Sequence, residues 1–251
     1  MQMESHAKQV ICATLLTGVY DVNRNEALAE DQFSLIKDWY HSILDLQLHG
    51  IVFHNSFSEE TIAKYQNEYI KFIKVPYDGL INPNAYRYLI YHDFLAANIG
   101  YIDQLFVTDI ADVVVIQNPF TQPLFSQNTD TLFCGDEQEI LANPWMQAHN
   151  SHLRNHIAGF DEYESANKDQ TLLNCGIIGG HFKLMQTLMQ QLSEIHKTYT
   201  IRNKTAYTLD MGAFNYIARS QFGTQLQHGA PINTHFKQYE NSRIDCWFRH
   251  K

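Results

Sequence analysis

Two aspartates, Asp109 and Asp112, stand three residues apart, directly after the apolar run at residues 105–107. Carboxylates at the end of a buried strand can hold Mg²⁺ or Mn²⁺, because hard cations take oxygen ligands. An ion held there would neutralise a substrate diphosphate and stabilise it as a leaving group. An aspartate in this position can instead cap the following turn through its own backbone. The spacing alone leaves both interpretations open.

The elements that must position these aspartates follow from the apolar pattern. Short apolar runs predict strands, and apolar residues repeating every three to four positions predict helices. Ser58 and the pair Asn82-Pro83 have the residue types that begin helices. Strands are predicted at 10–16, 50–53, 69–75, 101–116 (broken at the aspartates), 131–134 and 172–178, and helices at 31–46, from 58, and at 84–98, 181–196 and 210–218. Strands that alternate with helices predict an α/β fold whose mainly parallel central sheet is flanked by helices.

Polar residues follow three of the predicted strands. Thr17-Gly18, Asn55-Ser56 and Thr108-Asp109 each stand where an apolar run ends. In open parallel sheets, ligands bind beyond the carboxyl ends of the strands. We therefore expect these loops to converge on one crevice, with Thr17, Gly18 and Asn55 as ligand-binding candidates.

Composition narrows the class of protein. Hydrophobic residues make up 45% of the 251 residues and aromatic residues 13%, which predicts a well-buried core. The formal charge of −9 argues against a nucleic-acid partner, which would require a basic face. Linkers and repeats are absent from the sequence, so one domain spanning 1–251 is the simplest division. The N-terminal residues do not resemble a signal peptide and no run of about 20 apolar residues occurs, so we expect a cytoplasmic protein.

Cysteine and histidine spacing gives little support for zinc. The cysteines show no CxxC spacing, which makes a zinc site or disulfide framework an unfavoured interpretation; they are Cys12, Cys134, Cys175 and Cys246. His149, His152 and His156 would share a helix face, but no nearby carboxylate completes a ligand set. Neighbouring aromatic residues there, such as Trp145, could stack on a sugar ring or belong to the core.

Four blocks of the sequence resemble GT-A glycosyltransferases. Residues 109–120 (DIADVVVIQNPF) resemble the segment that serves these enzymes as their DxD motif. Residues 174–180 (NCGIIGG) are similar to the strand that lines their sugar pocket, and residues 209–215 (LDMGAFN) to a helix start that follows it. Residues 87–94 (RYLIYHDF) resemble the helix before the acidic motif. The blocks occur in the order of the family, and the resemblance extends over about residues 10–251.

The resemblance implies both a fold and an activity. The fold would be a single Rossmann-like GT-A domain, with a nucleotide-binding part at about 10–120 and an acceptor and sugar-pocket part at about 121–251. The activity would be transfer of a sugar from a nucleotide-diphosphate donor, with a UDP-sugar as the first choice, to an acceptor hydroxyl. The acceptor would be a glycan, a lipid-linked molecule or a protein. The cofactor would be Mn²⁺ or Mg²⁺. Peripheral contact with a membrane stays open.

The resemblance also implies a metal shell. Asp112 would be the principal metal ligand, and Asp109 would contact the metal and the nucleotide ribose. A histidine near the C-terminus would complete the shell, and the sequence offers His228, His235 and His250. His250, which is followed by Lys251, looks similar to the terminal H-K that closes the diphosphate site, while His228 is the competing candidate.

Other residues would shape the donor pocket. Asn174 and Gly176 would line the sugar, with Gly179-Gly180 as a buried turn in the alternative interpretation. Asp210 would lie against the sugar as a hydrogen-bond acceptor or general base, or would only be the N-cap of its helix. Arg87 would reach a phosphate or the sugar, and Asp93, six residues later, is a further donor-binding candidate.

Two other functions remain open. A nucleotidyltransferase that makes nucleotide sugars would share the crevice and metal, but residues 17–20 (TGVY) are not its Gly-rich basic loop. A nucleotide-sugar-binding module without catalysis is the other candidate. Its one hint is Met211, where many members of the family have glutamine, a difference that also leaves the stereochemical course open.

Overall fold

The computed structural model describes residues 8–21, 26–79, 81–201 and 209–251. Its strands are β1 (Gln9–Leu15), β2 (Tyr20–Asp21), β3 (Glu26–Ala27), β4 (Gly50–His54), β5 (Ile70–Lys74), β6 (Gln104–Thr108), β7 (Val113–Val115), β8 (Leu132–Ile140), β9 (Thr171–His181), β10 (Leu226–His228) and β11 (Phe248–His250). Its α-helices are α1 (Lys37–Asp45), α2 (Glu59–Tyr65), α3 (Pro83–Ala97), α4 (Pro123–Ser126), α5 (Pro144–Arg154), α6 (Phe160–Asn167), α7 (Phe182–Ile195) and α8 (Asp210–Phe222). None of these described helices is long and apolar enough to cross a lipid bilayer.

A seven-stranded sheet lies at the centre, in the order β10-β8-β9-β6-β1-β4-β5. The strands β5, β4, β1 and β6 pair in parallel, so their carboxyl ends share one edge. Strand β9 pairs antiparallel with both β6 and β8, and β10 returns to a parallel pairing with β8. The predicted α/β fold with a mainly parallel central sheet and flanking helices is confirmed.

Both faces of the sheet are covered, as the continuous apolar runs require. Along β1, Val10 and Cys12 point into one core cluster, while Ile11 and Ala13 point into the other. This alternation follows from the two-residue period of a strand. All four cysteines are free and buried, as expected for small apolar side chains.

Most predicted helices begin close to the predicted residue. Ser58 is the N-cap of α2, where its side chain accepts a hydrogen bond from the Thr61 amide. Asn82 caps α3 in the same way. The helix predicted at 31–46 is shorter, because α1 begins only at Lys37 after a 3₁₀ turn. Asp31 instead uses its carboxylate to accept a hydrogen bond from the Ser58 amide, at 2.9 Å, which ties this segment to the start of α2.

The tail after residue 225, for which the sequence pattern predicts no strand or helix, contains two strands. Strand β10 joins the central sheet, and β11 pairs antiparallel with β7, placing His250 opposite Val113 and Phe248 opposite Val115. Helix α1 supports β7 from the side, since Ser42 Oγ accepts a hydrogen bond from the Val115 amide at 3.1 Å. The end of the chain therefore runs beside the acidic motif.

Gly179-Gly180 is not the turn of the alternative interpretation, because both residues lie inside β9. Gly179 pairs directly with Phe106 on β6. A Cβ on Gly179 would stand 2.2 Å from Phe106 Cδ1. The Phe106 ring is fully buried and packs against Phe120, Phe125 and Phe248, so it has no space to move away. Glycine is therefore required for close approach of the ring to the strand.

We expect Gly179→Ala to lower the free energy of unfolding by about 1–3 kcal/mol, the usual cost of overpacking a filled core. Gly135→Ala is the matched control in the neighbouring strand β8, because its Cβ would meet the nearest atom at an ordinary 3.6 Å. Urea denaturation of both variants measures the difference. Equal stability of the two variants would contradict the steric assignment at Gly179.

Candidate active site

A cavity of about 1100 Å³ opens beside the loop that follows β6. Residues from α3, the β6–β7 loop, β8, β9, the start of α8 and the C-terminal tail all reach it. Its lining consists of Asn84, Arg87, Asp109, Asp112, Glu137, Glu139, Asn143, Pro144, Trp145, Leu172, Asn174, Cys175, Asp210, Met211, Phe236, Lys237, Tyr239, His250 and Lys251.

Three lining residues form a group that can hold a metal ion. In the described part of the chain, the ligand atoms of Asp109, Asp112 and His250 all lie within 4.8 Å of one another. His250 Nε2 is 3.8 Å from Asp109 Oδ2 and 4.0 Å from Asp112 Oδ1. Two carboxylates and an imidazole suit a divalent cation such as Mn²⁺ or Mg²⁺.

Backbone pairing fixes the position of His250. The β7–β11 ladder places His250 opposite Val113, and the Lys251 amide donates to the Asp112 carbonyl at 2.9 Å. The His250 amide also donates to Thr234 Oγ1 at 3.1 Å. These contacts bring a residue far along the chain to the acidic motif, which the local sequence pattern does not reveal.

The state of His250 fits a metal ligand. The side chain is 1% exposed, and burial lowers the pKa of His250 to about 4, so its imidazole is neutral near pH 7. Neutral imidazole is the form that binds metals. Its Nδ1 is buried with no hydrogen-bond partner among the described residues, and Nε2 is too far from either carboxylate for a hydrogen bond. An ion between Nε2 and the carboxylates would therefore satisfy three groups at once.

Arg87 connects the metal-binding group to α8. Its guanidinium is buried, forms an ion pair with Asp109 Oδ1, and lies 3.6 Å from Asp210 Oδ2. Arg87 Nη2 also donates to Cys175 Sγ at 3.1 Å and to the Tyr88 hydroxyl at 3.3 Å. Because Arg87 occupies Oδ1 of Asp109, the other carboxylate oxygen is left to face His250.

Asp210 does not act as a helix cap. The N-cap of α8 is Leu209, which has a left-handed φ of 56°, and Asp210 is the first helical residue. The alternative interpretation of Asp210 as an N-cap is therefore wrong. Its buried carboxylate lies near Arg87 and 3.5 Å from Cys175 Sγ. A buried leucine with positive φ is uncommon, and such strain often occurs at functional sites.

Gly176 lies directly behind the metal-binding group. A Cβ at this position would stand 2.5 Å from His250 Cε1 and 2.7 Å from Asp109 Oδ2. Asn174 accepts a hydrogen bond from the Gly176 amide at 2.7 Å and donates to Glu137 Oε1 at 2.8 Å. The absence of a side chain at Gly176 is what lets the imidazole and the carboxylate approach each other.

Of the three strand-end loops expected to share a crevice, the Thr108-Asp109 loop lines this cavity, while Thr17-Gly18 and Asn55-Ser56 are not among its described lining residues. The Asn55 side chain bonds both backbone groups of Thr17, accepting from its amide and donating to its carbonyl at 2.9 Å each. Gly18 follows with a left-handed φ of 80°, which favours glycine. The structure thus brings Thr17 and Asn55 together at the neighbouring ends of β1 and β4, and donor binding by Thr17, Gly18 and Asn55 stays a prediction.

Asp93 and His228 are placed away from the metal-binding group. Asp93 is largely exposed on α3, where it pairs with His92 at 3.0 Å. His228 Nδ1 pairs with Asp136 Oδ2 at 2.9 Å at the end of β10. Of the two C-terminal histidines left open by the sequence, the structure places His250 beside Asp109 and Asp112. Lys251 lines the cavity while its Nζ donates to Asp38 Oδ2 at 2.6 Å.

Two glutamates of the lining were not predicted from the sequence. Strand β8 runs to Ile140, well beyond the predicted end at residue 134, and carries Glu137 and Glu139. The end of this strand is polar and resembles a loop in composition, so the pattern of apolar residues does not predict it. The alternation of Glu137 with Glu139 was the available signal, because residues two apart share a strand face.

No protein-family model and no curated protein matches the sequence. Among solved structures, the chain is similar to the galactosyltransferase LgtC, crystallised in complex with donor and acceptor sugar analogues. The match has a TM-score of 0.50 and 15% sequence identity, and it covers 96% of this chain and 86% of LgtC. At this identity the similarity shows the fold alone, and that fold is the GT-A type.

We expect Arg87→Met to lower the free energy of unfolding by about 3–5 kcal/mol, because it leaves the buried Asp210 and the partly exposed Asp109 without their cation. Adding Asp210→Asn should restore about 1 kcal/mol or more relative to additive costs, measured as a double-mutant cycle by urea denaturation. Arg243→Met is the control, since Arg243 pairs with the well-exposed Asp245 and should cost less than about 1 kcal/mol. Strictly additive effects at Arg87 and Asp210 would contradict the bridge.

Proposed function

We propose that this chain is a metal-dependent glycosyltransferase. It moves a sugar from a nucleotide-diphosphate donor, with a UDP-sugar as the first choice, to a hydroxyl of a glycan, a lipid-linked molecule or a protein. The observation that carries the proposal is the convergence of Asp109, Asp112 and His250 on a cavity that also receives Arg87 and Asp210. Similarity in fold to a galactosyltransferase bound to sugar analogues supports it.

A Mn²⁺ or Mg²⁺ ion held by Asp109, Asp112 and His250 would supply the positive charge that stabilises a departing diphosphate. A local source of positive charge is needed, because the chain as a whole carries a formal charge of −9. The three ligands leave room for phosphate oxygens, which commonly complete the coordination of such ions.

The surrounding side chains position the donor in this proposal. Arg87 fixes the carboxylates of Asp109 and Asp210, so that both are oriented before substrate binds. Asp210 would accept a hydrogen bond from the transferred sugar or act as general base, while Asn174 and Gly176 would form the pocket wall. The tail residues Phe236 and Lys237 would exclude water from the donor.

The two parts of the chain are proposed to work as one domain. Residues from about 10–120 supply Arg87, Asp109 and Asp112, and residues from about 121–251 supply Asp210 and His250 to the same cavity. We propose the cytoplasm as the location, since four free, buried cysteines suit a reducing compartment.

We expect Asp112→Asn to reduce Mn²⁺-dependent release of nucleotide from the preferred donor by about 100-fold or more, because a principal metal ligand is lost. The measurement incubates the protein with a panel of nucleotide sugars and Mn²⁺ and assays the free nucleotide. Asp103→Asn is the matched control, because Asp103 is a half-exposed aspartate that pairs with Lys8 at the start of β6. It should behave like the wild type.

Three outcomes of that panel, the third measured with pyrophosphate added, would reject parts of the proposal. Undiminished Mn²⁺-dependent release by Asp112→Asn would exclude the metal assignment. Tight nucleotide binding by the wild type with no release from any donor would favour the non-catalytic binding module. Pyrophosphate-dependent formation of a nucleoside triphosphate from a nucleotide sugar would favour the nucleotidyltransferase.

We expect Gly176→Ala to weaken Mn²⁺ binding by about tenfold or more without altering any ligand, because its Cβ would displace His250 and Asp109. Isothermal titration of Mn²⁺ in the presence of UDP measures this affinity. Gly135→Ala, whose Cβ meets only ordinary contacts, should keep the wild-type affinity. Wild-type affinity in Gly176→Ala would show that the ion binds elsewhere.

A further inference from the structure

A second set of cavity residues has chemistry that the metal-binding group does not use. Trp145 is 48% exposed and Tyr239 is 62% exposed, and they are the aromatic members of the large hydrophobic side chains exposed in the described structure. Both line the cavity. The other two tryptophans, Trp39 and Trp247, are almost completely buried. Two aromatic side chains are therefore exposed to solvent in the cavity where a substrate would bind.

Trp145 is held in place by the start of α5. Asn143 caps this helix by accepting a hydrogen bond from the Met146 amide at 3.0 Å, and Pro144 is the first helical residue. The Met146 side chain is fully buried, and the His149 ring lies 3.8 Å from the indole ring. The indole therefore projects from a capped helix start, packs against one imidazole and leaves part of its surface open to solvent, where a ligand can contact it.

Two carboxylates accompany the indole. Glu137 and Glu139 are two residues apart on β8, and both line the cavity. Asn174 donates to Glu137 at 2.8 Å and fixes its orientation. Of the lysines in the lining, Lys251 pairs with Asp38 and Lys237 lies over the Phe236 ring, 4.8 Å from its centroid. Carboxylates accept hydrogen bonds from hydroxyl or ammonium groups, and two of them on one wall disfavour a phosphate or carboxylate group placed beside them.

We infer that Trp145, Tyr239, Glu137 and Glu139 form the acceptor subsite, and that it takes a neutral or amino sugar rather than a phosphorylated or carboxylated one. The apolar C–H face of the sugar ring stacks on Trp145, while its hydroxyl or ammonium groups donate to the glutamates. This inference rests on the proposed function and specifies the acceptor class that the function leaves open.

One bond forms and one bond breaks in the proposed transfer. The acceptor hydroxyl oxygen forms a bond to the anomeric carbon of the donor sugar, and the bond from that carbon to the diphosphate oxygen breaks. The nucleoside diphosphate leaves with the electron pair of the broken bond, and the hydroxyl proton passes to solvent.

The experiment uses three acceptor pools that differ in charge: glucose, galactose and mannose; their 2-amino-2-deoxy derivatives; and their 6-phosphates. With the donor and Mn²⁺ fixed, the readout is the nucleotide release above the rate without acceptor. The wild type should respond to the neutral and amino pools and not to the 6-phosphates. An equal response to the 6-phosphates, or donor hydrolysis that no pool accelerates, would overturn the inference.

Variants of the wall separate the acceptor subsite from the donor site. Trp145→Ala should lower the ratio of acceptor-dependent to acceptor-independent release by about tenfold or more, and Trp145→Phe should recover most of it. In Glu139→Lys, the 6-phosphates should accelerate nucleotide release about two- to fivefold over the rate without acceptor, which they should not do in the wild type. Ile99→Ala, which changes an exposed residue outside the cavity lining, is the control and should match the wild type.

The remaining outcomes distinguish the inference from the proposed function. An unchanged ratio in Trp145→Ala would overturn the acceptor subsite while leaving the glycosyltransferase proposal intact. Failure of the wild type to release nucleotide from any donor would reject the proposed function itself. Fluorescence of the buried Trp39 and Trp247 reports whether the Trp145 variants are folded.

Discussion

The site depends on the ion pairs that the buried guanidinium of Arg87 forms with two aspartates. A charge removed from water needs compensation, and here Asp109 and Asp210 provide it from two distant parts of the chain. The pairing assigns one oxygen of Asp109 to Arg87 and directs the other toward His250. It also fixes Asp210 at the start of α8. Arg87 therefore holds the acidic motif and helix α8 in a fixed position relative to each other.

Backbone pairing and a missing side chain complete that geometry. Strand β11 reaches the acidic motif by pairing with β7, which α1 supports through Ser42. The Trp39 indole of the same helix donates to Thr108 Oγ1 at 2.9 Å, one residue before Asp109. Gly176 leaves the space in which the imidazole and carboxylate approach. Strands β7, β9 and β11 and helix α1 therefore hold the metal-binding group in place, as the proposed positioning of a substrate would require.

Features written in local pattern were predictable from the sequence. The apolar runs predict β1, β4, β5 and β6, and the helical period predicts α3 and α7, because buried strands and amphipathic helices have distinct periods. Long-range strand pairing leaves no local pattern, so the sequence predicts no strand where β10 and β11 lie. For the same reason, the sequence does not decide whether His228 or His250 is the metal ligand. Glu137 was not predicted as a site residue because a polar strand end resembles a loop. The need for glycine at position 179 was not predicted because it comes from the Phe106 ring of another strand.

We propose that Asp109, Asp112 and His250 hold a divalent cation against a nucleotide diphosphate. A crystal of the wild-type protein grown with Mn²⁺ and UDP tests it most directly through the anomalous signal of manganese. We expect one strong peak at a coordination distance of about 2.1 Å from ligand atoms of these three residues, with diphosphate oxygens beside it. Bound UDP with no manganese at this group, or manganese between His228 and Asp136 instead, would contradict the claim.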